Sequence, residues 1–356
     1  MNLNLFATLQ RFFFIIVLII AFFIILTYLL SMGLGILVLF STAEGLKFSK
    51  NPYKLYPLHI INVEITVNAG LYFLFLWWVF ALCFATAWQY REGLSYKVQR
   101  FLSDTVQRNP FSNNLLAMPL ITSMLLIATL ILHFLQAQWG FPTGSPLPSD
   151  PFMDFIRYSR APLVEEILFR ILPIGTFLMT YIFIVGKRTK PDYTWIQRLK
   201  TCILSVFQPE RAKEEVGLKT ISESGLFGGL IWAEWLMVFL TAFLFGIVHY
   251  LGGWGPGKIS QAAMSGVVFA LAYLYYGIQA PILFHWYFNY YFTVFSLSSS
   301  YYLTEIDFLS LCLTTNIFLG TLMWFAVTFF GIVFFLRVLR RKLKTTSVFE
   351  PLSTSV

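Results

Sequence analysis

At 356 residues, 58% hydrophobic and 12% charged, the chain carries about half the charge of a soluble domain, and its mean hydropathy of +0.71 excludes an ordinary soluble enzyme. The net charge of +8 is spread over the segments between apolar runs, which speaks for membrane topology rather than a nucleic-acid partner. Cys83, Cys202 and Cys312 are far apart and show no C-x-x-C or zinc-knuckle spacing.

Eight apolar runs follow one another: Phe12–Phe40, Thr66–Tyr90, Leu115–Ala137, Ala161–Gly186, Leu226–Leu251, Ile259–Gly277, Ile278–Ser300 and Thr315–Val338. Runs of about 20 residues span a bilayer as helices, which satisfy their own backbone groups. A barrel would need strands of about 10 alternating residues, and none is visible. The expectation is an all-α fold: a polytopic membrane helix bundle with about eight transmembrane helices, forming one integral membrane domain over 1–356. The first run is too long for a signal-peptide core and is read as a retained anchor. The N-terminal part, 1–149, carries no distinctive pattern. The C-terminal TSV has no prenylation cysteine.

Lys and Arg are unevenly placed. With the N-terminus inside, the inside segments hold 18 of the 25, counting Arg337 at the inner end of the last run, and the outside segments 6, with Arg170 left over. The bias predicts both termini in the cytoplasm. The membrane would be the plasma membrane in a prokaryote and the endoplasmic reticulum in a eukaryote. The longest hydrophilic segment, 187–225, holds 8 of these residues and reads as a basic cytosolic loop. Within it Ile196, Leu199, Ile203 and Val206 recur at helical spacing. Such a helix belongs either in the bilayer interface or in the cytosol, packed on the bundle.

Charge at membrane depth is expensive and marks function. The fourth run contains APLVEEILFR, residues 161–170. On a helix Glu166 and Arg170 are i,i+4 and can pair, while Glu165 lies about 100° round and faces elsewhere. One carboxylate is thereby partnered and the other is left for chemistry. A purely structural salt bridge accounts for Glu166 and Arg170 but poorly for Glu165. Later runs carry Phe245 and His249 in FLFGIVH, and His285 and Asn289 in HWYFN, each pair on one helix face. A carboxylate and an imidazole can hold and deprotonate a water. A second histidine and an amide can donate to the oxyanion of a tetrahedral intermediate. G-x-S-x-G and H-E-x-x-H are absent. A two-histidine, one-carboxylate zinc site drawn from separate helices stays open.

Three motifs in this order, Glu165-Glu166-x-x-x-Arg170, Phe245-x-x-x-His249 and His285-x-x-x-Asn289, resemble the CPBP family, also called Abi. It contains the CAAX prenyl endopeptidases and bacteriocin-processing enzymes. The resemblance covers about 150–300, read as the catalytic core. It implies an eight-helix, glutamate-type intramembrane endopeptidase acting on membrane-associated, prenylated or other peptide substrates in the bilayer, without a cofactor. By the same resemblance Glu165 and His249 activate water, His285 and Asn289 form the oxyanion hole, and Glu166, Arg170 and Phe245 support them. Competing readings are a non-enzymatic immunity or interaction protein of the same fold, a zinc metalloprotease, and a transporter with a Glu/His proton relay. The oligomeric state is not legible.

Of the remaining polar residues, Glu234 is expected to be structural, paired with an Arg or a Tyr hydroxyl. His59 and His133 are expected to be structural or interfacial. Gln261 and Ser265 either line the site or bridge helices. One difficulty concerns depth. The runs as drawn place Glu165 and His249 near outer ends, but His285 about 10 Å from an inner end. The site closes if the fourth helix begins near Pro151, with Pro162 as a kink, or if the GGWGPG turn is re-entrant.

Overall fold

The computed structural model describes residues 3–55, 65–90, 110–145, 150–302 and 307–346. The chain is a multi-pass membrane helix bundle with a single short strand pair among the described residues. Among the described residues seven helices are long and apolar enough to cross a bilayer. In chain order the N-terminal part gives α1 (Leu3–Ser41), α2 (Ala43–Ser49), β1 (Pro52–Leu55), β2 (Ile65–Asn68), α3 (Ala69–Gln89) and α4 (Asn114–Gln138). The strands pair antiparallel, Pro52 opposite Asn68. The second run was expected to begin as helix at Thr66. Instead Ile65–Asn68 is strand, and the Asn68 side chain caps α3 by accepting from Leu71 N at 3.1 Å.

The fourth run begins ten residues before its expected start. α5 spans Pro151–Glu166, continues as a π-helix over Ile167–Gly175, and runs on as α6 (Thr176–Thr189). Asp150 accepts from the backbone of Phe152 and Met153, both at 3.0 Å, and Pro151 stands in the first turn. Asp154, Arg157 and Arg160 hid this first half from hydropathy. With the start at Pro151, Glu165 lies about 20 Å along the helix, and the depth difficulty disappears. Pro162 sits inside α5 without ending it. The GGWGPG turn is a short connection, held by Gly255 N to Thr143 O at 2.7 Å and Gly257 N to Pro142 O at 3.0 Å.

The segment 187–225 is not a loop. It folds into α7 (Trp195–Phe207), α8 (Pro209–Glu215) and most of α9 (Ile221–Gly229). Thr194 and Gln197 close a capping box on α7. The helix is inverted relative to a soluble one. Thr201, Cys202 and Ser205 are buried against the protein, whereas Ile196, Leu199, Ile203 and Phe207 look outward, Ile196 at 77% exposure. Of the two placements open from spacing, this favours the bilayer interface, where an outward apolar face is solvated by acyl chains.

The fifth membrane helix, α10, starts at Trp232, not Leu226, because the extended Leu230 and Ile231 separate it from α9, which is itself kinked at Gly225 (φ +71°). Glu234 is structural, as expected, but its partner is neither Arg nor Tyr. Lys213 of α8 reaches both carboxylate oxygens at 3.0 Å and donates to Gly229 O at 2.6 Å. Both side chains are buried.

α11 (Gly257–Tyr276) packs along α10 at backbone distance. A Cβ on Gly266 would meet Ala242 Cα at 2.9 Å, and one on Gly246 would meet Ile259 O at 2.3 Å. Small residues permit this approach. The run Ile278–Ser300 then forms α12 (Gln279–Trp286), a π-turn (Tyr287–Tyr291) and α13 (Phe292–Ser299) without interruption. No piece alone reaches spanning length, so this is the eighth helix beside the seven. It is central: Leu283, Phe284, Trp286, Tyr287, Tyr290 and Tyr291 are fully buried, and α1, α3, α4, α5, α11 and α14 pack round it. The last helix, α14, runs Phe308–Thr346, its apolar part Phe308–Val333 rather than 315–338. His133 is exposed, with its Nδ1 2.8 Å from Thr143 Oγ1. His59 lies outside the described residues.

Because Lys213 and Glu234 are buried together, Lys213→Met should lower stability by about 3–5 kcal/mol, while Lys213→Met with Glu234→Leu should recover most of the loss. Unfolding midpoints in mixed detergent micelles measure both.

Candidate active site

The two halves of the site are built alike. Glu165 and Glu166 end α5, and Arg170 lies in the π-helix that follows; His285 is one residue from the end of α12, and Asn289 lies in the π-turn beyond. A π-segment widens the helix and shifts the register of the side chains after it, and such segments recur at functional sites. Pro173, with no N–H to give, lies in the first of them.

Glu166 and Arg170 are both fully buried. Arg170 Nε lies 3.1 Å from Glu166 Oε2, and Nη1 is 3.3 Å from Oε1. The guanidinium also donates through Nη2 to Gly266 O at 3.1 Å, and it sits 4.7 Å from the Phe245 ring centre and 5.5 Å from that of Phe269. Planar charge between aromatic faces is a geometry that suits Arg and not Lys. Glu166 has a second partner that helical spacing does not show: His285 Nδ1 is 2.8 Å from its Oε1. A carboxylate held by Arg accepts, so Nδ1 carries a proton toward Glu166, and Nε2 is turned toward the site. The Asn289 amide nitrogen is 3.1 Å from that Nε2.

Glu165 faces the other way. Its Oε2 has no hydrogen-bond donor in the protein. It stands 3.7 Å from His285 Nε2 and 3.9 Å from His249 Nε2. The His249 ring is oriented by its own helix, since Nδ1 donates to the Phe245 carbonyl at 2.8 Å and leaves Nε2 bare toward Glu165. Phe245 is the hub of these rings, 4.5 Å from His249, 5.8 Å from His285 and 5.1 Å from Phe169. Phe269 stacks on the other face of His285 at 5.5 Å. The apolar frame fixes both imidazoles and shields the Glu166–Arg170 pair.

A cavity of about 80 Å³ opens on His249, His285 and Asn289. Gln261 and Ser265 line it, and Gln261 also bridges to Gln136 Oε1 at 2.8 Å and Thr143 Oγ1 at 2.9 Å. All seven residues singled out by motif, Glu165, Glu166, Arg170, Phe245, His249, His285 and Asn289, thus meet in one place. Lys258, Trp254 and Phe269 escaped the sequence reading. Lys258 had been counted as a loop charge, although it stands three residues before Gln261 and seven before Ser265, on the same helical stripe.

The cluster pairs an unpartnered carboxylate oxygen with two imidazole nitrogens and an amide at the mouth of a cavity inside a membrane protein. No curated protein and no solved structure gives a match to the chain. Residues 149–291, the stretch holding every residue of the cluster, match the model of the Rce1-like type II CAAX prenyl endopeptidases, a family of the CPBP group.

Proposed function

We propose that the protein is an intramembrane endopeptidase that hydrolyses a peptide bond by water activated at Glu165 and His249. The observation that carries this reading is the placement of Glu165 Oε2, without a donor, 3.7 and 3.9 Å from two histidine nitrogens. One water molecule bridges such a gap. Glu165 takes its proton, with His249 Nε2 as second acceptor, and the hydroxide attacks the scissile carbonyl. The oxyanion is received by the Asn289 amide and by His285 Nε2–H, in a ring protonated on both nitrogens whose charge Glu166 balances. The tetrahedral intermediate collapses as Glu165 returns the proton to the leaving amine. Arg170 pairs with Glu166, which in turn holds His285 in orientation.

The family match over residues 149–291 supports the substrate class. A C-a-a-X substrate ends in a prenylated cysteine and three further residues. Its lipid stays in the bilayer, so a site within the bundle meets it by lateral approach. In this reading both termini and residues 187–225 are cytoplasmic, in line with the distribution of basic residues.

Three outcomes test the reading. In purified protein Glu165→Gln should cut turnover of a farnesylated peptide by about 10²–10⁴ and leave thermal stability close to wild type; near-normal turnover would remove Glu165 as the base. Asn289→Leu should lower kcat by about 10²–10³ with little change in KM; if its whole effect is lost folding, Asn289 is structural. Since the steps above use no metal, activity should survive chelators, and elemental analysis should find zinc well below one per chain. A single zinc whose removal abolishes activity and whose return restores it would put a metal-bound hydroxide in the place of Glu165.

A further inference from the structure

We propose that Lys258 is the anchor for the free C-terminal carboxylate of the peptide substrate, a residue that sets both the substrate's direction and the distance of the cut from its end. This rests on the endopeptidase reading and adds to it a recognition element outside the three motifs.

Lys258 stands in the first turn of α11 and lines the same cavity as His249, His285 and Asn289. Its ammonium is 4.2 Å from the centre of the Trp254 ring, and that ring is 6.4 Å from His249. Trp254 therefore holds the cation beside the catalytic histidine instead of letting it extend into the interface. Among the described residues the fully buried cations are committed: Arg170 to Glu166, and Lys213 to Glu234. Among the described residues no carboxylate pairs with Lys258. Glu165 is near enough for the charges to act on each other but is not in ion-pair contact. A partly buried lysine facing a cavity, braced by an aromatic ring and without a carboxylate of its own, is built to receive an anion.

The spacing identifies which anion. Lys258, Gln261, Ser265 and Phe269 all line the cavity, at i, i+3, i+7 and i+11 on one face of α11. Phe269 marks the level of His285, on which it stacks. Lys258 is about 16 Å from it along the helix axis, and its flexible stem reaches part of the way back. Three extended residues beyond a scissile carbonyl span about 10 Å. A peptide cut at the His285–Asn289 level would thus bring a carboxylate three residues on toward the Lys258 ammonium. The positive end of α11 adds to the attraction. Gln261 and Ser265, between the two levels, stand beside the intervening backbone.

The test uses two farnesylated peptides of identical sequence, one ending in a free carboxylate and one in a carboxamide, cleaved by the full-length protein in detergent. A charge-assisted contact predicts that wild type prefers the acid by about 10- to 100-fold in kcat/KM, chiefly through KM. Lys258→Met should bring the acid-to-amide ratio close to one, and Lys258→Arg should keep most of the preference. A wild-type ratio near one overturns the anchor whether or not Lys258→Met folds. An undiminished ratio in Lys258→Met, with both substrates slowed alike, also overturns it and makes Lys258 a residue that acts through Glu165 and His249. If wild type and Glu165→Gln are equally inert on both peptides, it is the endopeptidase reading that fails, and the anchor with it.

Discussion

Everything at the site depends on one buried ion pair. Taking a glutamate and an arginine out of water costs several kcal/mol per ion, and the pair is tolerated only where geometry and further hydrogen bonds compensate. Here the compensation also builds the site. Arg170 is held by Glu166, by the Gly266 carbonyl and by the faces of Phe245 and Phe269. Those contacts tie the helix at 151–166 to α10 and α11. Glu166 then accepts from His285 Nδ1 at 2.8 Å and draws in α12. Four helices are located against each other by one neutralised pair. The neighbouring Glu165 is left without a donor because its twin has taken the arginine.

The two π-segments are the second device. An α-helix with these sequences would offer side chains at fixed angles. Widening the turn after Glu166, and again after His285, changes the angles at which Arg170 and Asn289 leave their helices. Wide turns in lipid are costly because they leave backbone groups poorly satisfied. Both lie where the bundle can shelter them: Arg170, Ile174 and Gly175 are buried in the first, and Tyr287, Tyr290 and Tyr291 in the second. Steric economy elsewhere supports them. Gly246 and Gly266 let α10 and α11 touch, and that contact brings Phe245 and His249 to the depth of Glu165.

Much of this was legible in the order of residues. Hydropathy located the spans, and the i,i+4 spacing of Glu166–Arg170, Phe245–His249 and His285–Asn289 picked out the residues that meet. What could not be read depended on long-range contact or on local polarity. The start at Pro151 was masked by Asp154, Arg157 and Arg160, whose charges lowered the apolar average over a helix that is nevertheless continuous. The bond from Glu166 to His285 joins residues far apart in the chain. The partner of Glu234 came from a segment read as a cytosolic loop, because Lys213 there looked like one more topological charge. Lys258 was absorbed into the same count. The π-turns leave no mark in composition. Spacing found the residues, and the third dimension was needed to say which of them share a proton.

The central helix has a consequence for how the protein is made. Gln279–Ser299 shows almost no surface to lipid; its seat is a wall of other helices, and its aromatic and polar side chains find their partners in those helices. Tyr291, for example, meets Thr27 at 2.7 Å, and the Tyr290 hydroxyl reaches Ser31 O. Helices of a membrane protein are inserted first and packed afterwards, but this one has nowhere stable to stand until α1, α3, α4 and α5 are already assembled. It leaves the ribosome after them and carries His285 and Asn289. The nascent chain therefore passes most of its synthesis with the glutamates in the membrane and neither His285 nor Asn289 beside them, and the cluster comes into being only when the last internal helix is seated.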